Sequence, residues 1–204
     1  MDQGELAAAL TRLDEITRRL RRECPWDREQ DERSIVPHTV EEAYELADAA
    51  ESGDDAKLLD ELGDVLFQVY FLALLMEERG EGDLAAVADH CREKLIRRHP
   101  HVFGERAAET AGDVVRNWNQ IKRDDERGGE IFGAIPDTLP STLYAKKVLK
   151  RAESAGRGTT VPEAGEHGER LLRAVQEAVE AGVDPELSLR RAADRYREQV
   201  ERER

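Results

Sequence analysis

The sequence has few of the residues from which β-sheets, disulfide frameworks and membrane spans are built. Aromatic residues make up 5% of its 204 residues, and no segment alternates Val, Ile or Thr with polar residues, so strands are not expected. The longest uncharged stretch, Val65 to Met76, has twelve residues, fewer than the ~18 of a membrane-spanning helix. The first residues lack the basic and apolar regions of a signal peptide. Cys24 and Cys91 leave room for one bridge at most, which favours a reducing, cytoplasmic location.

Several catalytic signatures are missing as well. Without a Gly-Lys dipeptide there is no P-loop, and without Gly-x-Ser-x-Gly there is no nucleophile elbow. No histidine is followed by aspartate, which excludes the His-Asp signature of metal phosphohydrolases. No histidine follows an acidic residue by three positions, so the Glu-x-x-His motif of di-iron bundles is absent too.

Positive charge is scarce relative to negative charge. The chain carries 31 basic and 45 acidic residues, for a formal charge of −14. This balance argues against nucleic acid or a membrane surface as a partner, because both attract basic proteins. It leaves open an anionic small molecule whose charge is neutralised by metal ions. With 39% hydrophobic residues, the chain still has enough apolar surface to fold around a core.

Helical periodicity is the dominant pattern that is present. Apolar residues recur at intervals of three and four, as at Leu6, Leu10 and Leu13, which predicts an all-α bundle of antiparallel helix hairpins. The predicted helices span residues 5–23, 38–51, 56–79, 83–98, 111–127, 139–155, 161–181 and 185–203. The second half of the third helix is apolar on all sides, so we expect other helices or a second subunit of a homodimer to cover it.

Four carboxylates carry the strongest chemical signal. Glu42 and Glu45 share one helix face, as do Glu61 and Asp64, because residues three apart on a helix are neighbours. Glu42 and Asp64 each lie eleven residues from Gly53, and Glu45 and Glu61 each lie eight residues from it. An antiparallel hairpin that turns at Gly53 therefore brings the two pairs level with each other.

The four carboxylates would repel each other strongly unless a cation joined them. Hard oxygen ligands suit Mg²⁺, with Mn²⁺ as a substitute. Acidic residues at helical spacing are more commonly a solvated surface, but two pairs placed symmetrically about a glycine turn favour a metal site. The neighbouring Glu41 could support the site, act as a base for an attacking water, or simply be exposed.

A basic segment and a tryptophan could hold a phosphate-bearing substrate. Lys94 and Arg98 are four residues apart and share a helix face, where together with Arg97 they could bind a polyphosphate. They could equally be a cationic helix end that offsets the helix dipole. Trp118 and Lys122 repeat the four-residue spacing, which would suit a nucleobase stacked near its own phosphates, although a single Trp is more commonly a core residue.

The motifs in this order resemble the MazG family of nucleoside triphosphate pyrophosphohydrolases, over roughly residues 5–155. The segments that carry the resemblance are Cys24-Pro25-Trp26-Asp27, Glu41-Glu42-x-x-Glu45, Glu61-x-x-Asp64, Arg97-Arg98-His99-Pro100-His101-Val102-Phe103 and Trp118-x-x-x-Lys122. The resemblance implies an all-α, usually dimeric, Mg²⁺-dependent enzyme that hydrolyses a nucleoside triphosphate to the monophosphate and pyrophosphate. It implies metal ligands at Glu42, Glu45, Glu61 and Asp64 and substrate contacts at Lys94, Arg98, Trp118 and Lys122.

The expected organisation is a MazG-like catalytic domain over residues 1–156 and a C-terminal helical extension of unknown role over residues 157–204. The catalytic set is then Glu41, Glu42, Glu45, Glu61 and Asp64, and the substrate-binding set is Lys94, Arg97, Arg98, Trp118 and Lys122. The role would be nucleotide-pool sanitising or regulation. Two alternatives remain at this point: a non-enzymatic acidic bundle that docks a basic protein, and a family member restricted to one pyrimidine deoxynucleotide.

Overall fold

A computed structural model describes residues 2–104, 110, 112–114, 117–118, 120–121, 131–133, 135–158, 160–161 and 165–203. These residues form helices and connecting segments without a β-strand, which confirms the all-α prediction. The helices are α1 Gln3–Glu23, α2 Pro25–Glu29, α3 Glu32–Ser52, α4 Asp55–Glu78, α5 Leu84–Arg98, α6 Pro100–Phe103, α7 Ser141–Ser154, α8 His167–Glu180 and α9 Pro185–Arg202. Among them, no helix combines the length and the apolar character that crossing a bilayer requires.

The chain divides into two compact units, Met1–Leu95 and Ile96–Arg204, and the division falls within α5. The expected division at residue 156 remains a prediction about domains. Of the helix expected over residues 111–127, the described residues 112–114, 117–118 and 120–121 are helical, and the rest lie outside the described part of the chain. Cys24 and Cys91 carry no disulfide.

Helix α3 begins earlier than the sequence pattern predicts. The sequence predicts a helix over residues 38–51, but the helix starts at Glu32 and Pro37 lies within it. The cause is a capping box: the Asp31 side chain accepts from the Ser34 backbone at 2.8 Å, and the Ser34 hydroxyl accepts from the Asp31 backbone at 2.9 Å. Because Pro37 lies in the second turn, it removes only one backbone hydrogen bond from a helix that is already capped.

The hairpin between α3 and α4 turns where the sequence predicts. Gly53 adopts the left-handed conformation with φ of 70°, which glycine enters without steric cost. The next residue, Asp54, caps α4 by accepting hydrogen bonds from the backbone of Ala56 and Lys57. These two devices fix the antiparallel register of the two helices.

The core of the first unit lies on the C-terminal half of α4. Phe71 is 1% exposed and packs in one cluster with Ile35 of α3 and with Leu75, while Phe67 and Leu72 pack against that cluster. This confirms that the apolar half of the helix is buried on several sides, although other apolar residues of α4 remain exposed.

Arg21 joins three helices of the first unit. Its guanidinium donates twice to the carboxylate of Glu78, at 2.9 and 2.8 Å, and donates to the backbone oxygens of Asp27 and Gln30. It also lies 5.8 Å from the centre of the Phe71 ring. One side chain thus holds α1 against α2 and α4, and the hydrogen bond from Arg21 lowers the pKa of Glu78, although partial burial acts against it.

Replacing Arg21 with methionine is expected to lower the free energy of unfolding by about 2–3 kcal/mol, because backbone oxygens lose a charged donor. For a chain of this length, that corresponds to a melting temperature lower by roughly 5–10 °C. The control is Arg19→Met, which removes an exposed pair with Glu23 and is expected to leave the melting temperature nearly unchanged, because solvent screens exposed pairs. Equal melting temperatures of the two variants would contradict the role of Arg21.

The second unit contains the three C-terminal helices. Thr142 and Lys146 of α7 bind Glu186 and Asp184 at the start of α9, which ties these helices together. Although partial burial acts to raise the pKa of Asp184, the hydrogen bond from Lys146 and the backbone donors at the helix start lower it. Val161 is held on α8, where its backbone oxygen accepts from Arg173 at 2.8 Å.

Candidate functional site

Three carboxylates meet across the α3–α4 hairpin. Glu42 and Glu45 of α3 and Glu61 of α4 each offer an oxygen, and these oxygens all lie within 4.8 Å of one another. Glu42 and Glu61 are partly buried and Glu45 is exposed, so the group is open to solvent on one side. The symmetric spacing about Gly53 has therefore brought side chains of two helices into one cluster.

The carboxylates of this cluster disfavour each other's ionisation. Partial burial raises the pKa of Glu42, and the charges of Asp64 and Glu45 raise it further. Partial burial likewise raises the pKa of Glu61, with Glu45 as the next cause. A cation placed among the three oxygens would offset both effects, since it stabilises the ionised form of every member.

Asp64 differs from the other three carboxylates. It is exposed and stands outside the group whose oxygens share the 4.8 Å limit, although its charge acts on Glu42. The structure therefore brings together three of the four predicted ligands and leaves the fourth beside them.

The donor set fits a hard divalent cation. It consists of carboxylate oxygens alone, and within the described part of the chain no histidine or cysteine joins it. Such a set suits Mg²⁺ or Mn²⁺, which prefer oxygen ligands and leave positions for water.

Glu41 lies next to the cluster in sequence, and its carboxylate is outside the group of three oxygens. Its side chain is 68% exposed and stands 3.9 Å from Nδ1 of His38.

A polar layer that the sequence analysis did not identify lies one helical turn from the cluster. The Thr39 hydroxyl lies 3.3 Å from Oε1 of Gln68, and Gln68 is only 6% exposed. Beside Thr39, the ring of His38 meets the ring of Trp26 edge-on, with 5.7 Å between their centres. The signal was available in the sequence, because His38 and Gln68 each lie fifteen residues from Gly53.

The predicted substrate-binding residues fall into different environments. Lys94 is partly buried and Arg97 is exposed, whereas Arg98 is 7% exposed. In the second unit, the guanidinium of Arg98 lies 5.3 Å from the centre of the Trp118 ring. The two residues thus form a cation–π pair. Lys122 lies outside the described residues.

Comparison with known proteins adds a second kind of evidence to this geometry. Residues 30–103 match the family described as the MazG nucleotide pyrophosphohydrolase domain. The chain is 38% identical to the nucleoside triphosphate pyrophosphohydrolase of Escherichia coli strain K12, covering 86% of this chain and 70% of that protein. It is 32% identical to the nucleoside triphosphate pyrophosphohydrolase/pyrophosphatase MazG of Thermotoga maritima, covering 88% of this chain and 78% of that one. An uncharacterized 26.1 kDa protein of Streptomyces cacaoi is 39% identical, over 95% of this chain and 81% of that protein.

The helical fold, the carboxylate cluster and these relatives together define a hydrolase that acts on phosphoric anhydrides. The chain belongs to the MazG nucleotide pyrophosphohydrolase family. This membership confirms the resemblance drawn from the motifs, and it disfavours a non-enzymatic acidic docking module.

Proposed function

We propose that the protein hydrolyses nucleoside triphosphates, ribo- or deoxyribo-, to the nucleoside monophosphate and pyrophosphate in a Mg²⁺-dependent reaction. The observation that carries the proposal is the cluster of Glu42, Glu45 and Glu61, whose oxygens lie within 4.8 Å of one another. The Escherichia coli and Thermotoga maritima relatives are named as nucleoside triphosphate pyrophosphohydrolases, which supports the proposal.

Glu42, Glu45 and Glu61 would hold Mg²⁺, with Asp64 as a fourth ligand and Mn²⁺ as a substitute. The ion, when bound, neutralises triphosphate charge and lowers the pKa of water. The role of the carboxylates is to hold the positive charge of the ion at one point between α3 and α4. Because the pKa values of Glu42 and Glu61 are raised, protons compete with the cation for these carboxylates. Binding of Mg²⁺ should therefore strengthen as pH rises.

In the proposed reaction, the oxygen of a water molecule forms a bond to the α-phosphorus. At the same time, the bond breaks between the α-phosphorus and the oxygen that bridges it to the β-phosphorus. The electron pair of the broken bond leaves with pyrophosphate, and the proton of the water passes to a carboxylate such as Glu41. Lys94, Arg97, Arg98, Trp118 and Lys122 are proposed to bind the substrate by their family correspondence. Among them, Lys94 and Arg98 would stabilise the charge on the leaving pyrophosphate.

We further propose that the protein acts as a homodimer. Leu59, Leu62, Leu66 and Val69 recur at intervals of three and four on α4 and are 74%, 49%, 38% and 40% exposed. A continuous apolar stripe of this kind is typical of a face that another protein surface covers. A second copy, which would present the same stripe, is the proposed occupant.

The proposed role is sanitising or regulating the nucleotide pool in the cytoplasm. A panel of substrates determines the base and sugar preference and tests for restriction to a pyrimidine deoxynucleotide. Pyrophosphate release should be measured over the common and modified nucleoside triphosphates with and without Mg²⁺. We expect Mg²⁺-dependent release, in stoichiometric amount with the monophosphate. Release of orthophosphate alone, or no release from any triphosphate, would contradict the proposed function.

A further inference from the structure

Helix α9 is buried at its first turn and exposed beyond it. Pro185 and Glu186 are buried, and the Thr142 hydroxyl of α7 donates to the carboxylate of Glu186. From residue 189 to residue 203, by contrast, every residue is exposed. Most of the stability of a protein helix comes from packing one face against a neighbour, and a segment of this length is only marginally helical by itself. The exposed part of α9 therefore calls for a surface that covers it.

One face of this exposed segment is apolar. Four residues at alternating intervals of four and three form the α9 stripe, which consists of Leu189, Ala193, Tyr196 and Val200. Leu189, Tyr196 and Val200 are 60%, 70% and 47% exposed. Intervals of four and three are the heptad pattern by which one helix packs along another. The partner that fits the α9 stripe is therefore a second helix.

The α9 stripe is complementary to itself when two copies run antiparallel. Ala193 and Tyr196 lie at equal distances from the middle of the stripe, and so do Leu189 and Val200 at its ends. An antiparallel pair therefore sets the small Ala193 of each copy opposite the large Tyr196 of the other. Large side chains opposite small ones let two helices interdigitate. A parallel pair would instead set the two tyrosine rings against each other and leave a gap between the two alanines.

The charges beside the stripe favour the same antiparallel arrangement. One flank carries a run that alternates in sign, formed by Arg190, Asp194, Arg197 and Glu201. When the direction of the helix is reversed, each sign is exchanged, so an antiparallel second copy sets Asp194 opposite Arg197. It sets Arg190 opposite Glu201 in the same way. Arg190 also pairs with Glu186 in its own helix, whereas Asp194 and Arg197 are 55% and 67% exposed and can reach a second copy.

We propose that α9 is a contact surface between two copies of this chain, formed by antiparallel pairing of their α9 stripes. The occupant is the same helix of a second copy, because both the side-chain sizes and the alternating charges match in that arrangement. The contact is separate from the apolar stripe of α4 and does not depend on the proposed reaction. It lies outside residues 30–103, which match the family, and so gives the C-terminal part of the chain a role in assembly.

Cysteine cross-linking of the full-length protein tests this contact. In a background of Cys24→Ser and Cys91→Ser, the protein contains no other thiol. Ala193→Cys lies near the middle of the stripe, so a short bismaleimide should join two copies. The control Glu198→Cys lies on the opposite face of α9 and should be cross-linked about 10-fold more slowly or less. Equal rates for Ala193→Cys and Glu198→Cys would overturn the proposed contact.

The same method tests the direction of the pair. Leu189→Cys alone lies at one end of the stripe, so an antiparallel pair keeps its two sulfur atoms roughly 16 Å apart along the helix axis and beyond the cross-linker. Adding Val200→Cys in the same chain brings a cysteine opposite Leu189→Cys of the second copy, and cross-linking should appear. If Leu189→Cys alone is cross-linked as fast as Ala193→Cys, the antiparallel arrangement is wrong.

An exchange of charge tests whether a second copy is the occupant. Asp194→Arg and Arg197→Asp each set like charges opposite each other in the proposed pair, so each variant alone should cross-link through Ala193→Cys about 5-fold more slowly or less. In an equal mixture of the two variants, opposite charges face each other again. Mass spectrometry should then show mixed dimers in excess over both homodimers. A statistical distribution of mixed dimers and homodimers would refute α9 of a second copy as the occupant.

Discussion

Replacing Glu61 with glutamine is expected to lower kcat for pyrophosphate release at saturating Mg²⁺ by about 10²-fold or more, the loss typical of removing one preorganised electrostatic group. Glu61 is the single contribution of α4 to the group of three oxygens within 4.8 Å. Glutamine keeps the shape of the side chain and one oxygen but removes the charge. The cluster then loses its attraction for a divalent cation, while the helix and its packing stay the same.

The same substitution is expected to stabilise the metal-free protein. The pKa of Glu61 is raised in the folded state, first by partial burial and then by Glu45. A raised folded pKa means that stability is lost as pH rises through that pKa, so the wild type carries a penalty at neutral pH. The Glu61→Gln variant should therefore melt at the same temperature or higher than the wild type in EDTA at pH 7. This advantage should vanish as pH falls below the pKa of an unfolded glutamate.

The matched control is Asp60→Asn, which removes the same charge one residue away on the exposed side of α4. It should keep the activity of the wild type and gain thermal stability from Mg²⁺ plus a triphosphate analogue, whereas Glu61→Gln should not gain it. Mg²⁺-dependent release of pyrophosphate at wild-type rates by Glu61→Gln would contradict the assignment of the cluster.

Placing a charge on the apolar stripe of α4 is expected to separate the proposed dimer. Leu66 lies in the middle of the stripe and is 38% exposed, so Leu66→Glu would bury an unpaired carboxylate between two copies. Burying a charge without a partner costs several kcal/mol, which predicts a dissociation constant weaker by about 100-fold or more. Analytical ultracentrifugation over a range of concentrations measures this shift directly.

The control for the stripe is Leu171→Glu, which adds the same charge at a residue that is 69% exposed on α8. It should sediment as the wild type does. A wild-type protein that stays monomeric at high micromolar concentration would refute the dimer, and an unchanged dimer in Leu66→Glu would show that the stripe is not its interface.

The site could be predicted from the sequence because it depends on one hairpin. The spacing of Glu42 and Glu61 from the turn is local information, and the turn itself is marked by Gly53 with φ of 70°. Once two helices run antiparallel from a known turn, residues at equal distances from it lie at the same level of the two helices. The exposure of Asp64 could not be obtained in this way, because a three-residue spacing fixes a face only to within a fraction of a turn.

The features that the sequence did not reveal depend on hydrogen bonds between side chains and the backbone, or on contacts between elements that are distant in sequence. Asp31 and Ser34 cap α3 reciprocally and so begin the helix ahead of Pro37, which on its own predicts a boundary. The contact of Trp26 with His38 and that of Arg98 with Trp118 join residues that no helical period relates. Periodicity predicts faces, and tertiary packing decides which of those faces meet.

We propose that Glu42, Glu45 and Glu61 bind one divalent cation jointly. Crystals grown with Mn²⁺ and measured at the manganese absorption edge would locate that cation. We expect an anomalous difference peak within about 2.0–2.5 Å of an oxygen of each of the three residues, with none at that position in Glu61→Gln. Anomalous density at other sites only, with these three side chains bound to water, would show that the three carboxylates do not form a joint metal site.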